Sequence, residues 1–127
     1  MSHDIGVLIL ATQKILDIKL PIRFVMKTKG VGESKDLAGY CETHYRKGKM
    51  IRHKISLNLD VCLFAEYKLN DVIVHEMVHA CMFEHGSFNE KYHHDIRFQN
   101  ICALLRLELQ KMGFDIGELY NANVDLD

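Results

Sequence analysis

Asn70-Asp71-Val72-Ile73-Val74-His75-Glu76-Met77-Val78-His79-Ala80-Cys81-Met82-Phe83 places two histidines four residues apart in an otherwise apolar run. On an α-helix that spacing puts both imidazoles on one face, within reach of a single metal ion. Glu76, directly after the first histidine, then lies beside the ion, where a carboxylate can take a proton from a metal-activated water. Asn70 or Asp71 is placed to cap the start of this helix and Gly86 to end it. The run is apolar on nearly every face, so His75, Glu76 and His79 are expected to be buried. Buried polar groups need partners, and a zinc ion would supply them.

Working outward, 127 residues suffice for one core but not two, and 48% hydrophobic with 26% charged residues is an ordinary globular balance. One domain over 1–127 is expected, with its core at about 5–112 and an acidic, loosely held tail at 113–127. The N-terminus lacks the basic start of a secretory leader, and the apolar run 5–10 is too short to span a bilayer. A cytoplasmic setting without a membrane partner follows as an expectation. Cys41, Cys62, Cys81 and Cys102 are scattered without a C-x-x-C pair. That argues against a zinc ribbon or a disulfide framework, and Cys81 and Cys102 fall in apolar helical patterns that suit buried thiols.

The remaining pattern is α+β. A first helix is expected over Ile5 to Leu16, capped by Ser2 or Asp4, with Val7, Leu8, Leu10, Ala11 and Ile15 facing the core. A strand follows from Ile22 to Lys27, then a glycine-bearing loop from Thr28 to Asp36. Strands from Ala38 to Arg46 and from Met50 to Leu59 form a hairpin around Lys47-Gly48-Lys49, giving a small three-stranded sheet of antiparallel type. In the second hairpin strand Ile51, Ile55, Leu57 and Leu59 share one face and Arg52, Lys54, Ser56 and Asn58 the other. A short helix or turn at 61–68 leads to the motif helix. A last helix from Tyr92 to Met112 carries the stripe Ile96, Ile101, Leu104, Leu105 and Leu109, with Gly113 ending it.

A catalytic zinc site needs a third protein ligand and an open position. His85 stands six residues after His79, but the position that would need a helix-breaking glycine to turn it back is Met82. Glu108 on the last helix, His93 and His94 are the other candidates. The segment His75-Glu76-Met77-Val78-His79-Ala80, followed after a loop by His94-Asp95-Ile96-Arg97-Phe98, resembles the SprT-like metalloprotease family. That family has H-E-M-[I/V]-H-A, then a third histidine about fifteen residues past the second in an H-x-x-x-F context. The likeness extends upstream to the G-x-[F/Y] strand at Gly39-Tyr40 and the hairpin, over roughly residues 5–112. It implies a compact zincin-like fold, with His75, His79 and His94 as zinc ligands and Glu76 as general base. It also implies one catalytic Zn2+ and hydrolysis of peptide bonds in a protein substrate. The family commonly has glycines around the third histidine, where this chain has His93 and Asp95, so His93 stays as the neighbouring alternative. A bare catalytic domain, without the C-terminal zinc ribbon that many relatives carry, is the expectation.

Net charge is −1, yet residues 19–54 carry ten bases against three acids and residues 55–127 five bases against twelve acids. Arg46, Lys47, Lys49, Arg52 and Lys54 cluster on and beside the hairpin turn, where they can contact phosphates without base specificity. Phe24, Tyr40 and Tyr45 lie among them and can stack on unpaired bases. His44 and His53 are expected to face solvent or to pack. Relatives that act as DNA-dependent proteases on DNA–protein crosslinks make single-stranded or damaged DNA the implied partner. Two function classes follow: a zinc endopeptidase stimulated by nucleic acid, and a non-peptidase domain braced by zinc that binds DNA or protein. An intact Glu76 favours the first, since a structural zinc has no need of a base.

Overall fold

The computed structural model describes residues 4–28, 38–64, 68–87, 91–117 and 119. Among these the elements run α1 (Ile5–Ile15), β1 (Ile22–Lys27), β2 (Gly39–Arg46), β3 (Lys49–Asn58), α2 (Leu59–Phe64), α3 (Leu69–Glu84) and α4 (Ile96–Lys111). The fold is α+β, as the pattern of periods predicts. The motif helix α3 lies at its centre, packed on β2 and β3 on one side and on α1 and α4 on the other.

Every side chain from Val72 to Met82 is buried, which accounts for a helix that is apolar on nearly every face. Its start is uncapped by a side chain, because the helix begins at Leu69 and Lys68 occupies the cap position. Asp71 instead points to the C-terminal segment, where it accepts from the Gly117 N–H at 2.8 Å. The other end closes as expected. Gly86 has φ +71°, the Gly86 N–H reaches the Phe83 carbonyl and the Ser87 N–H reaches Met82 at 2.8 Å. This paired arrangement stops the helix and satisfies its last carbonyls.

The sheet order is β1-β3-β2. The hairpin is antiparallel, but β1 pairs with β3 in parallel, so the sheet is mixed rather than antiparallel throughout. The physical reason lies in the connections. Lys47 and Gly48, with φ +52° and +78°, make a two-residue turn of the kind whose twist suits a hairpin, which forces β3 beside β2. β3 thus stands between β1 and β2. A register shift at His44/Tyr45 leaves Ile51 of β3 as the extra, unpaired residue of a bulge. The expected loop at 28–36 falls almost wholly outside the described residues.

Two expected apolar faces, those of α1 and α4, are rotated, whereas β3 turns Ile55 and Leu57 inward as expected. On α1 the buried residues are Leu8 and Thr12, with Leu16 just beyond the helix; Val7 and Leu10 are exposed. On α4 the stripe is Phe98, Cys102, Leu105 and Leu109, while Ile96 and Leu104 face solvent. The last helix also starts later than Tyr92, because Asp95 caps it by accepting from the Phe98 N–H at 3.0 Å. On β3, His53 shares the inner face with Ile55 and Leu57, and Ser56 and Asn58 on the other face are buried too. Asn58 caps α2 by accepting from the Asp60 and Val61 N–H groups.

His53 is fully buried and held at both ring nitrogens, by Thr43 Oγ1 at 2.8 Å and by Glu84 Oε1 at 3.0 Å. Glu84 also accepts from the Lys19 and Leu20 N–H groups at 2.6 and 3.0 Å. One carboxylate therefore joins the end of α3, the inner strand and the turn after α1. The four cysteines are buried without a disulfide. Burial pushes the thiols of Cys81 and Cys102 up to about 11 and about 12, so both stay protonated near neutrality.

The tail is less loose than its composition suggests. Phe114, Ile116 and Leu119 are buried in the core, and Asp115 pairs with Lys68 at 2.8 Å. Apolar residues at 114, 116 and 119 outweigh the acids around them. The rest of the tail, 118 and 120–127, lies outside the described residues.

Candidate metal centre

Three imidazoles converge at the middle of α3. His75 and His79 come from adjacent turns of the helix, and His94 comes from the turn just before α4. His94 Nε2 lies 3.1 Å from His75 Nε2 and 3.2 Å from His79 Nε2. The three residues offer ligand atoms that all lie within 4.8 Å of one another. Nitrogens bound at 2.0–2.1 Å around a tetrahedral zinc would sit about 3.3 Å apart, and the separations of His94 from His75 and from His79 suit that ion. His75 and His79 are buried and His94 is half-buried, so the cluster opens toward solvent on the His94 side.

Each ring is held by its surroundings. His75 Nδ1 lies 2.6 Å from the Leu119 carbonyl. A carbonyl only accepts, so Nδ1 carries the proton and the Nε2 lone pair faces the cluster. The Gln99 amide donates to the His94 backbone carbonyl at 2.9 Å, steadying the turn that presents this histidine. Phe98, fully buried one turn into α4, touches all three rings with centroids 4.5–4.9 Å away. It forms a dry floor that packs the imidazoles and excludes solvent from below. The H-x-x-x-F spacing thus has a mechanical reason: with Asp95 as cap, the residue four after His94 lies under the rings.

Glu76 is buried against the start of β2. A Cβ on Gly39 would come within 3.0 Å of Glu76 Cγ and Oε2 and 2.9 Å of Val72 Cγ1. Only glycine lets the strand pass this close to the carboxylate.

The sequence model of the SprT-like family matches residues 22–115, from β1 to just beyond α4. The chain belongs to the SprT-like family. No curated protein and no solved structure shows significant similarity to it. The matched span takes in the three histidines, Glu76 and Gly39 of this SprT-like chain, and leaves out α1 and Leu119.

The other candidate ligands lie elsewhere. His85 ends α3 with Nε2 3.0 Å from the Asp17 carbonyl, as continued helix through Met82 predicts. Glu108 is exposed beside Lys111 on α4, and His93 is exposed outside the cluster. Because Asp95 caps α4, both His93 and His94 precede the helix. The turn, not helical divergence, decides which one points inward.

Of the hairpin bases, Arg46, Lys47, Lys49 and Arg52 are exposed. Lys54 is half-buried on the outer sheet face, between Arg23 and Glu42 in register. Arg52 Nε donates to His44 Nδ1 at 3.0 Å. Tyr45 is exposed, while Phe24 packs against the core and is not presented for stacking. Tyr92 is exposed with Lys91 over its ring. No helix among the described residues is long and apolar enough to cross a membrane.

Two site features escaped sequence reasoning. The Leu119 carbonyl carries no side-chain signature, and the role of Gly39 depends on an approach between elements distant in sequence. The second left a trace, a glycine at the opening of a strand.

Proposed function

We propose that this SprT-like protein is a zinc-dependent endopeptidase in which His75, His79 and His94 hold the metal and Glu76 is the general base. The observation that carries the reading is the meeting of three imidazole nitrogens one residue from a buried glutamate. A zinc that only braced the fold would call for a fourth protein ligand and no carboxylate. When bound there, zinc supplies a Lewis acid that lowers the pKa of a water to about 7 and polarises a carbonyl. Glu76 takes the proton from the attacking water and then passes it to the leaving amide nitrogen, so that the C–N bond breaks as a neutral amine departs. Gly39 keeps β2 close against that carboxylate, and Phe98 keeps the underside of the site dry. The substrate approaches from the His94 side, which is open to solvent.

Nucleic acid is proposed as activator or tether, held by Arg46, Lys47, Lys49 and Arg52 at the end of the molecule formed by the hairpin. Their exposure and the local charge excess support this contact. Lys54, beside Glu42, adds less.

The test is cleavage of a DNA-binding protein by zinc-loaded protein, with and without single-stranded DNA, against Glu76→Gln at equal zinc content. Cleavage that needs Glu76 and rises with DNA is expected. A zinc-loaded wild type that cleaves nothing under either condition would overturn the peptidase reading and return the zinc-braced binding domain.

A further inference from the structure

The segment after α4 runs back along the first half of α3 and ends on a metal-site histidine. Gly113, with φ +92°, turns the chain out of α4, and Gln110 steadies it by donating to the Ile116 carbonyl at 2.9 Å. The Asp115 carboxylate meets Lys68 at 2.8 Å and its carbonyl accepts from Asn70 Nδ2 at 3.2 Å. The Gly117 N–H donates to Asp71 at 2.8 Å, and the Leu119 carbonyl accepts from His75 Nδ1 at 2.6 Å. From 117 to 119 the segment advances two residues while α3 advances four, from Asp71 to His75. Phe114, Ile116 and Leu119 anchor it in the core.

We infer that residues 113–117, together with Leu119, form a strap whose Leu119 carbonyl is the positioning group for His75, so that strap docking and zinc binding are one coupled equilibrium. The inference rests on the proposed metal site, but not on peptidase activity. Its logic is the tautomer. With the strap docked, the proton of His75 sits on Nδ1 and the lone pair on Nε2 faces His79 and His94. With the strap away, a fully buried ring loses that acceptor, and the competing tautomer would put a proton on the nitrogen that must bind metal. Coupling is reciprocal, so zinc must in turn hold the strap down. An added Cβ at Gly117 would lie 2.8 Å from Asp71 Oδ2, so the carboxylate that accepts from the Gly117 N–H would have to shift.

The experiment compares zinc affinity, by competition with a chromophoric chelator, in the full chain, in Gly117→Ala, and in chains ending after Gly117 or after Tyr120. The chain ending after Tyr120 keeps the Leu119 peptide carbonyl and should match the full chain. Ending after Gly117 should weaken zinc binding by about 10–100-fold, the usual effect of losing a partner to a metal-bound histidine. Gly117→Ala should weaken it in the same direction. If the shorter chain fails to fold, Gly117→Ala and hydrogen exchange in the full chain carry the test. Zinc should slow exchange at 114–119 in wild type and not in His94→Ala. A strap that only packs the core would lower the melting temperatures of apo and zinc-bound protein together and leave zinc affinity unchanged. That result, with no effect of zinc on exchange at 114–119, would overturn the inference. A full chain that binds no zinc would overturn the metal site and the inference with it. Tight zinc binding without peptidase activity would count only against the proposed reaction.

Discussion

Gly39 lacks a Cβ at the point where β2 crosses the Glu76 carboxylate, and this tests the site at the scale of single residues. Gly39→Ala should cost about 1–3 kcal/mol through overpacking, and should lower kcat by at least about tenfold by displacing the base. Zinc affinity should hold, because none of the three histidines touches this point. An unchanged kcat would remove Gly39 from the positioning of Glu76. Glu76→Gln should keep zinc and lose about 10²–10⁴-fold in hydrolysis. Loss of zinc is expected of His94→Ala and not of His85→Ala, which elemental analysis reads directly. Spacing alone identifies His75, Glu76 and His79 as candidates, since a four-residue interval needs only helical geometry. The choice of His94 needed a family pattern, because a turn capped by Asp95 and not a period sets its direction. A backbone carbonyl such as that of Leu119 is common to every residue and could not be read at all.

Elements that repeat a period were readable, and those set by packing partners were not. The motif helix and the hairpin follow from an apolar run and from glycine in a two-residue turn. The parallel pairing of β1 could not be inferred, because strand neighbours depend on connection lengths and not on alternation. The rotated faces of α1 and α4 arise because each offers more apolar residues than one stripe can bury, and contact with α3 chooses among them. The link that fixes the end of α3 is Glu84. Burial alone would raise its pKa, but the Lys19 N–H, His53 and the Leu20 N–H together outweigh burial and hold it below the ordinary value of 4.5. A carboxylate depressed in the folded state contributes stability above its unfolded pKa and loses it as pH falls through the folded one. Glu84→Gln should therefore destabilise metal-free protein near pH 6 by about 1–3 kcal/mol, the cost of leaving one buried partner imperfectly paired, which a lowered melting temperature reports. The gap between variant and wild type should narrow as pH falls below about 4.5. A gap that stays constant down to about pH 3 would show that charge plays no part in this link.

Across the molecule as a whole, charge is divided between a basic hairpin half and an acidic C-terminal half. The proposed binding of single-stranded DNA predicts a salt dependence that falls when the hairpin is neutralised. Replacing Arg46, Lys47 and Lys49 by Gln should reduce the slope of log affinity against log salt by about 0.7 for each phosphate that is no longer neutralised. Anisotropy of a labelled oligonucleotide measures this, and an unchanged slope would place the DNA on another surface. Fold and proposed function meet in one arrangement, three helix-borne or helix-adjacent histidines close enough together to hold one metal ion. X-ray absorption at the zinc edge, on the loaded wild-type protein, reads that arrangement without any assay of activity. Three imidazole rings and a fourth position left to solvent are predicted. A sulfur neighbour, four protein ligands, or no bound zinc would contradict it.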